Sequence, residues 1–164
     1  MPRLLIVHHS PSRSMQALLE QVVSGAHDPD VQEAGGVEVV VREALEASAD
    51  DVLAADGYVL GTTANFGYMS GALKHFFDGS FLAIGGSLSD DGSATAATGG
   101  KKPYGLYVHG RYDTTGAVRS VQSIVGALPW RQAAPVLEVM GDVDIADRDA
   151  AYELGATLAA VVSA

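Results

Sequence analysis

The 164-residue sequence contains no cysteine. This rules out a disulfide scaffold, a thiolate nucleophile and any cysteine-held metal centre. Basic residues are scarce, with ten Lys and Arg against twenty Asp and Glu, for a formal charge of -10. A nucleic-acid backbone or an anionic lipid surface needs clustered cations, so neither is an expected partner. No apolar run reaches the eighteen or so residues of a membrane-spanning helix. The first apolar stretch, Leu4 to Val7, is four residues long and runs into His8 and His9, too short for the core of a signal peptide. A cytoplasmic location is the resulting expectation. Charged residues are sparse at 18% and aromatics at 7%, while 48% of the chain is hydrophobic. That is apolar material enough for a packed core, and it excludes an acidic disordered chain. The length is that of a single domain, taken as 1–164.

Short apolar runs alternate with amphipathic ones along the chain. Strands are predicted at Leu4–His9, Val37–Val41, Gly57–Leu60, Tyr104–His109 and Pro135–Val139. Helices are predicted from Ser12 or Ser14 onward with Met15, Leu18, Leu19 and Val22 inward, and at Ser70–Phe77, Thr115–Leu128 and Asp147–Val162. A weaker helix is predicted at Ala44–Leu53, with Leu45, Ala49 and Val52 on one side. Gly25 to Gly36 and Thr62 to Tyr68 read as loops. Gly79 to Gly100 is rich in Gly, Ser, Thr and Ala. Beyond a short helix at Ser80–Ile84, it reads as an excursion too long for an ordinary connection. Strict alternation of strand and helix implies right-handed crossovers and a parallel sheet. The predicted fold is α/β, a doubly wound five-stranded parallel sheet of order 2-1-3-4-5 in a three-layer sandwich. In that order a ligand sits beyond the carboxyl ends of strands one and three.

Three loops converge there. The first, Ser10-Pro11-Ser12-Arg13-Ser14-Met15, joins a buried strand to a helix start, where hydroxyls and free amides suit a phosphate. It has neither the glycine spacing of a dinucleotide fingerprint nor the Lys-Ser/Thr pair of a nucleoside-triphosphate loop. Its serines could equally do no more than cap the helix. The second loop runs from Gly61 to Gly71 and mixes small residues with Asn65, Phe66 and Tyr68, as a planar heterocycle requires. Its aromatics could instead plug a helix end. The third, His109-Gly110-Arg111-Tyr112-Asp113, offers Tyr112 for stacking, Gly110 for close approach and Arg111 for an anion. The bland alternatives are an Arg111–Asp113 surface pair and a structural His109.

The segment Gly61-Thr62-Thr63-Ala64-Asn65-Phe66-Gly67-Tyr68-Met69-Ser70-Gly71-Ala72-Leu73-Lys74-His75-Phe76-Phe77-Asp78 resembles the flavodoxin-like superfamily. Within it, the likeness is to the NAD(P)H-dependent FMN reductases and NAD(P)H:quinone oxidoreductases. There the corresponding segment reads roughly Gly-Thr-Pro, a variable piece, then Met-x-Gly-x-Met-Lys-x-Phe-Leu-Asp, and wraps the flavin ring. The resemblance implies FMN as cofactor, NADH or NADPH as co-substrate, and a quinone or similar small acceptor. It assigns Ser10, Ser12, Arg13, Ser14 and Met15 to the phosphate, and Thr62, Thr63, Ala64, Asn65 and Phe66 to one side of the ring. His109, Gly110, Arg111 and Tyr112 fall on the other side. Thr63 departs from the usual proline, and Arg13 from a small residue; the histidine-containing extension of the quinone reductases is not recognisable.

No side chain is assigned as acid, base or nucleophile, because the flavin carries the chemistry. His75 and Asp78 read as structural, and no spacing suits a metal. His8 and His9 are adjacent on a strand and face opposite ways. The resemblance also implies a homodimer or homotetramer, with Trp130, Tyr112 and Phe81 as candidate interface anchors. The competing readings are a flavodoxin-type electron carrier and a flavodoxin-like binding protein without cofactor. A serine hydrolase is weaker still, since no Gly-x-Ser-x-Gly elbow occurs.

Overall fold

A computed structural model describes residues 1–85, 87–88, 94–95 and 101–164. Five elements carry the first half of the fold: β1 (Arg3–His8), α1 (Arg13–Ala26), α2 (Pro29–Glu33), β2 (Glu38–Glu43) and α3 (Ala49–Ala54). They are followed by β3 (Gly57–Asn65), β4 (Tyr68–Met69) and α4 (Gly71–Ser80). Two short strands, β5 (Ser87–Leu88) and β6 (Ala94–Thr95), pair with each other in antiparallel fashion. The chain then forms β7 (Pro103–Gly110), α5 (Thr115–Ala127), β8 (Arg131–Gln132), β9 (Leu137–Met140) and α6 (Ile145–Ser163).

The main sheet has the order β2-β1-β3-β7, with β8 and β9 both pairing to the outer edge of β7. All these pairings are parallel, and the fifth position is simply divided between two short strands. This is the flavodoxin-like 2-1-3-4-5 arrangement. Strand residues alternate between two cores. Leu4, Ile6, Val59 and Tyr107 pack with α1 and α6, while Leu5, Val7, Leu60, Leu106 and Val108 pack with α3, α4 and α5. Both faces are covered, so the strands read as continuous apolar runs. Among the described residues, no helix is long and apolar enough to cross a membrane.

Helix boundaries follow their caps. Ser12 caps α1, its Oγ accepting from the Met15 amide at 3.2 Å. Ser48 and Asp144 form reciprocal capping boxes with Asp51 and Asp147. The weak helix therefore starts only after Ser48, and Leu45 is left exposed rather than inward. The terminal helix starts earlier than its apolar pattern suggests. The expected Gly25–Gly36 loop contains α2, signalled by Asp28 as N-cap and Pro29 in the first turn. The separate helix expected at Ser80–Ile84 is absent: α4 continues to Ser80 and residues 81–85 form turns. The fifth strand starts at Leu137, two residues later than expected, after Pro135, which has no amide to donate. The rest of the expected Gly79–Gly100 excursion (86, 89–93 and 96–100) lies outside the described residues.

Trp130 is a core residue rather than an interface anchor. It stacks on Tyr58 with ring centroids 4.0 Å apart and is buried. Phe81 is half-buried against the same core, and only Tyr112 of the three stands in solvent.

Candidate functional site

The carboxyl ends of β1, β3 and β7 lie side by side. His8 of β1 is in register with Gly61 of β3, and the His9 amide donates to the Gly61 carbonyl at 3.0 Å. Gly61 is in turn in register with Tyr107 of β7. A side chain at Gly61 would strike the Tyr107 phenol, so glycine is what lets that ring cross the strand.

The loop after β1 is built around the start of α1. Ser12 uses its side chain on the Met15 amide and its carbonyl on the Gln16 amide. The amides of Arg13 and Ser14 belong to the first turn, where the helix supplies no acceptor, and they remain available to an anion. Ser10 Oγ lies 2.8 Å from His8 Nδ1. Arg13 is exposed. Met15 is fully buried in the core under α1, so its side chain faces away from the loop.

The expected second loop is a hairpin. β3 runs on to Asn65, and β4 returns antiparallel, pairing Ala64 with Met69 and Asn65 with Tyr68. Phe66 and Gly67 form the two-residue turn, both with positive φ (51° and 79°). A bulky residue in the left-handed region is strained, and Phe66 is also fully exposed. The tip rests on the first turn of α5. A methyl group on Gly116 would collide with the Gly67 carbonyl, and the Met69 amide donates to Ser120 Oγ at 3.3 Å. Thr62 is buried and tied into the start of α4: its Oγ1 donates to the Thr63 carbonyl and accepts from the Ser70 amide at 2.9 Å. Thr63 Oγ1 is buried with no hydrogen-bond partner among the described residues.

In the third loop the His109 ring is buried, and its Nε2 donates to the Gly141 carbonyl at 2.7 Å. That bond fixes the strand end, the structural role open to it in the sequence. Gly110 brings backbone close to Ala64, where a Cβ would sit 3.1 Å from the Ala64 methyl. Arg111 pairs with Asp142 at 3.9 Å, not with Asp113, and both partners are exposed. Asp113 instead accepts from the Thr115 amide at 2.9 Å, a bond that holds its carboxyl below the usual carboxylate range. Tyr112 projects into solvent.

Loops two and three share one hollow of about 440 Å³, lined by Thr63, Ala64, Asn65, Phe66 and Gly67 on one side and His109 to Asp113 on the other. Its volume is in the range of small-molecule sites. The first loop does not line this hollow. It stands at the end of β1, the strand next to β3. Another hollow of about 320 Å³ lies between α4 and α5, lined by Phe77, Phe81, Leu82 and Ile124 with the Lys74–Asp78 ion pair at its edge. Its polar lining is Ser123 together with Lys74 and Asp78, which are already paired with each other.

The residues at the strand ends fit a flavin mononucleotide in three respects. The first-turn amides of Arg13 and Ser14 and the hydroxyls of Ser10 and Ser14 lie at the end of β1, donors of the kind that a phosphate requires. An open slot between backbone segments is flanked by the exposed aromatics Phe66 and Tyr112. A buried hydroxyl, Thr63 Oγ1, lacks a partner on the slot's wall. The hairpin and the Thr63 hydroxyl escaped sequence reasoning. The adjacent Phe66-Gly67 pair between Asn65 and Tyr68 was the signal for the turn.

No family model matches the chain. A curated flavodoxin from Aquifex aeolicus (strain VF5) is 32% identical over 78 residues, a match that spans 48% of this chain and only 40% of that protein. Among solved structures, a flavodoxin from the domain Archaea superposes with a TM-score of 0.76 at 16% identity, covering 99% of both chains. A flavodoxin, WrbA-like protein from Agrobacterium tumefaciens gives 0.70 at 16% identity, covering 99% of this chain and 98% of that one. The flavodiiron core of Flv1 from Synechocystis sp. PCC6803 gives 0.73 at 12% identity over 98% of this chain and 36% of that one. At these identities the likeness establishes a flavodoxin-like fold.

Proposed function

We propose that this protein binds FMN at the carboxyl ends of β1, β3 and β7. On this reading it is an oxidoreductase that takes electrons from NADH or NADPH and passes them to a quinone or similar small acceptor. The observation that carries the reading is the shared hollow between Thr63–Gly67 and His109–Asp113, with Phe66 and Tyr112 exposed at its two sides. Two aromatics exposed on the walls of one hollow support a binding surface, as singly scattered ones would not.

When bound, the flavin supplies the redox chemistry. The chain's part is placement. The amides of Arg13 and Ser14, the hydroxyls of Ser10 and Ser14 and the Arg13 guanidinium hold the phosphate, while Ser12 keeps the helix start in shape. Backbone at Ala64, Asn65 and Gly110 approaches the ring edges, and Thr63 Oγ1 gains the partner it lacks. Phe66 and Tyr112 cover the ring faces. Thr62 and Met15 support these groups from behind, while His109, tied through Nε2 to the Gly141 carbonyl, lines the hollow at the end of β7. Homo-oligomerisation and a cytoplasmic location belong to the same reading, and light scattering checks the first.

One observation favours a flavodoxin-type carrier as the second reading. Asp113 lines the hollow and the exposed Asp142 pairs with Arg111 on its wall, so two acids stand beside it and suit a basic protein partner. A single preparation separates the two. The expected result is a flavin absorption band after reconstitution, bleached without air by NADH or NADPH alone. A band that neither nicotinamide bleaches selects the carrier. A colourless protein that ignores added FMN sinks both.

A further inference from the structure

The phosphate loop begins with a histidine that the proposed redox role leaves unused. His8 is the last residue of β1 and its ring is buried on the α1/α6 face. In register beside it stand Glu43 of β2 and Gly61 of β3, with Tyr107 of β7 one strand further on the same row. Its Nδ1 meets Ser10 Oγ at 2.8 Å.

Both partners of that bond can either donate or accept. If Nδ1 is bare, it accepts the Ser10 hydroxyl proton, and the serine oxygen shows only lone pairs to the loop. If Nδ1 carries a proton, it donates to Ser10 Oγ, and the hydroxyl proton is free to turn to an anion. We propose that His8 is the positioning residue of the phosphate loop: by donating from Nδ1 it turns the Ser10 hydroxyl into a phosphate donor, and because a nearby anion favours the imidazolium over the neutral Nδ1–H tautomer, phosphate binding is coupled to protonation of the imidazole. This rests on the reading that FMN phosphate occupies the loop.

The surroundings set the direction of the coupling. Burial holds the His8 pKa below its ordinary 6.5; Glu43 opposes this and His9 adds to it. The other titratable groups around this strand end are Arg13, exposed at the start of α1, and Tyr107, whose burial pushes its phenol up so that it stays protonated. In the free protein near neutral pH the ring is therefore uncharged. A phosphate placed at the loop favours the imidazolium, raises its pKa and keeps the proton on Nδ1. By reciprocity, affinity for the phosphate rises as pH falls.

The test uses the full chain labelled with ¹⁵N in its histidine rings. The His8 ring is titrated by NMR alone, with FMN, and with riboflavin, which has the same ring system and no phosphate. FMN is expected to raise the His8 pKa and riboflavin to leave it unmoved. In parallel, FMN affinity is measured for the wild type and for His8→Asn, whose amide can donate to Ser10 at every pH. The phosphate's own ionisation near pH 6 is common to both proteins and cancels in their ratio. The wild-type affinity relative to His8→Asn should rise about threefold or more between about pH 8 and pH 6. FMN binding with an unmoved His8 titration overturns this proposal and leaves the flavin reading standing, whereas failure of FMN to bind at all removes both. Should His8→Asn not fold, the wild-type titration decides alone.

Discussion

Two regions of the molecule use glycine to bring backbones together, to different ends. In the seam between α1 and α6, a methyl group on Gly25 would strike the Tyr152 carbonyl and one on Gly155 the Val22 carbonyl. The helices touch backbone to backbone, their apolar residues are buried around the contact, and the Tyr152 hydroxyl donates to Asp28 at 2.6 Å across the layer. At the rim, Gly116 admits the Gly67 carbonyl in the same way, but the hairpin it seats ends in a strained and fully exposed Phe66. The seam converts close approach into burial. The rim uses close approach to hold Phe66 out in water, where under the proposed function the ligand ring covers it.

The sharpest way to break this contrast is in the seam. Gly155→Ala places a Cβ against backbone that cannot yield by rotating a side chain. It should cost about 1–3 kcal/mol or more of stability, read by chemical denaturation. FMN affinity of the folded fraction should be unchanged. The matching change at the rim, Gly116→Ala, should cost less stability, about 1–2 kcal/mol, because the hairpin tip can lift away. Its FMN affinity should fall tenfold or more, measured by flavin fluorescence. Equal stability losses with unchanged affinity in both variants would erase the distinction between the two regions.

Phe66→Asn sharpens the comparison with an opposite sign. Asparagine tolerates the left-handed conformation, so the variant should gain about 1 kcal/mol in a thermal melt. It should also bind FMN several-fold more weakly, having lost a ring face. The smallest expected effect is at His8. Its folded-state pKa lies below the unfolded value of 6.5, so the unfolded chain binds the proton first. The stability His8 contributes is complete above pH 6.5 and is lost as pH falls from there towards the folded-state pKa. Denaturation of the wild type and His8→Asn over that window should show the steeper acid loss in the wild type.

Much of the fold was legible locally. Leu4–Val7 and Tyr104–Val108 are apolar without interruption, as strands covered on both faces must be. Met15, Leu18 and Val22 recur at the helical spacing and are fully buried. The three loops were located by the same logic, because an open parallel sheet concentrates its binding groups at the carboxyl ends of its strands. Individual roles were less legible. Met15 stood in the phosphate loop by position, yet its side chain follows the helix into the core. Thr62 and His109 looked available, yet each is held by a residue from another segment, Ser70 and Gly141. Trp130 read as a surface anchor until Tyr58, distant in sequence, supplied a stacking partner.

Periodicity and caps are properties of neighbouring residues, so the chain by itself determined the alternation of elements, a serine cap at Ser12 or Ser14, and the three loops at the strand ends that form the proposed ligand entrance. Whether a polar group at that entrance faces outward or is held from behind depends on strands and helices separated by tens of residues. Register and packing set those meetings. Only the assembled sheet put His8 beside Ser10 with Tyr107 beyond Gly61, left Thr63 Oγ1 without a partner, and set the Phe66 turn against Gly116.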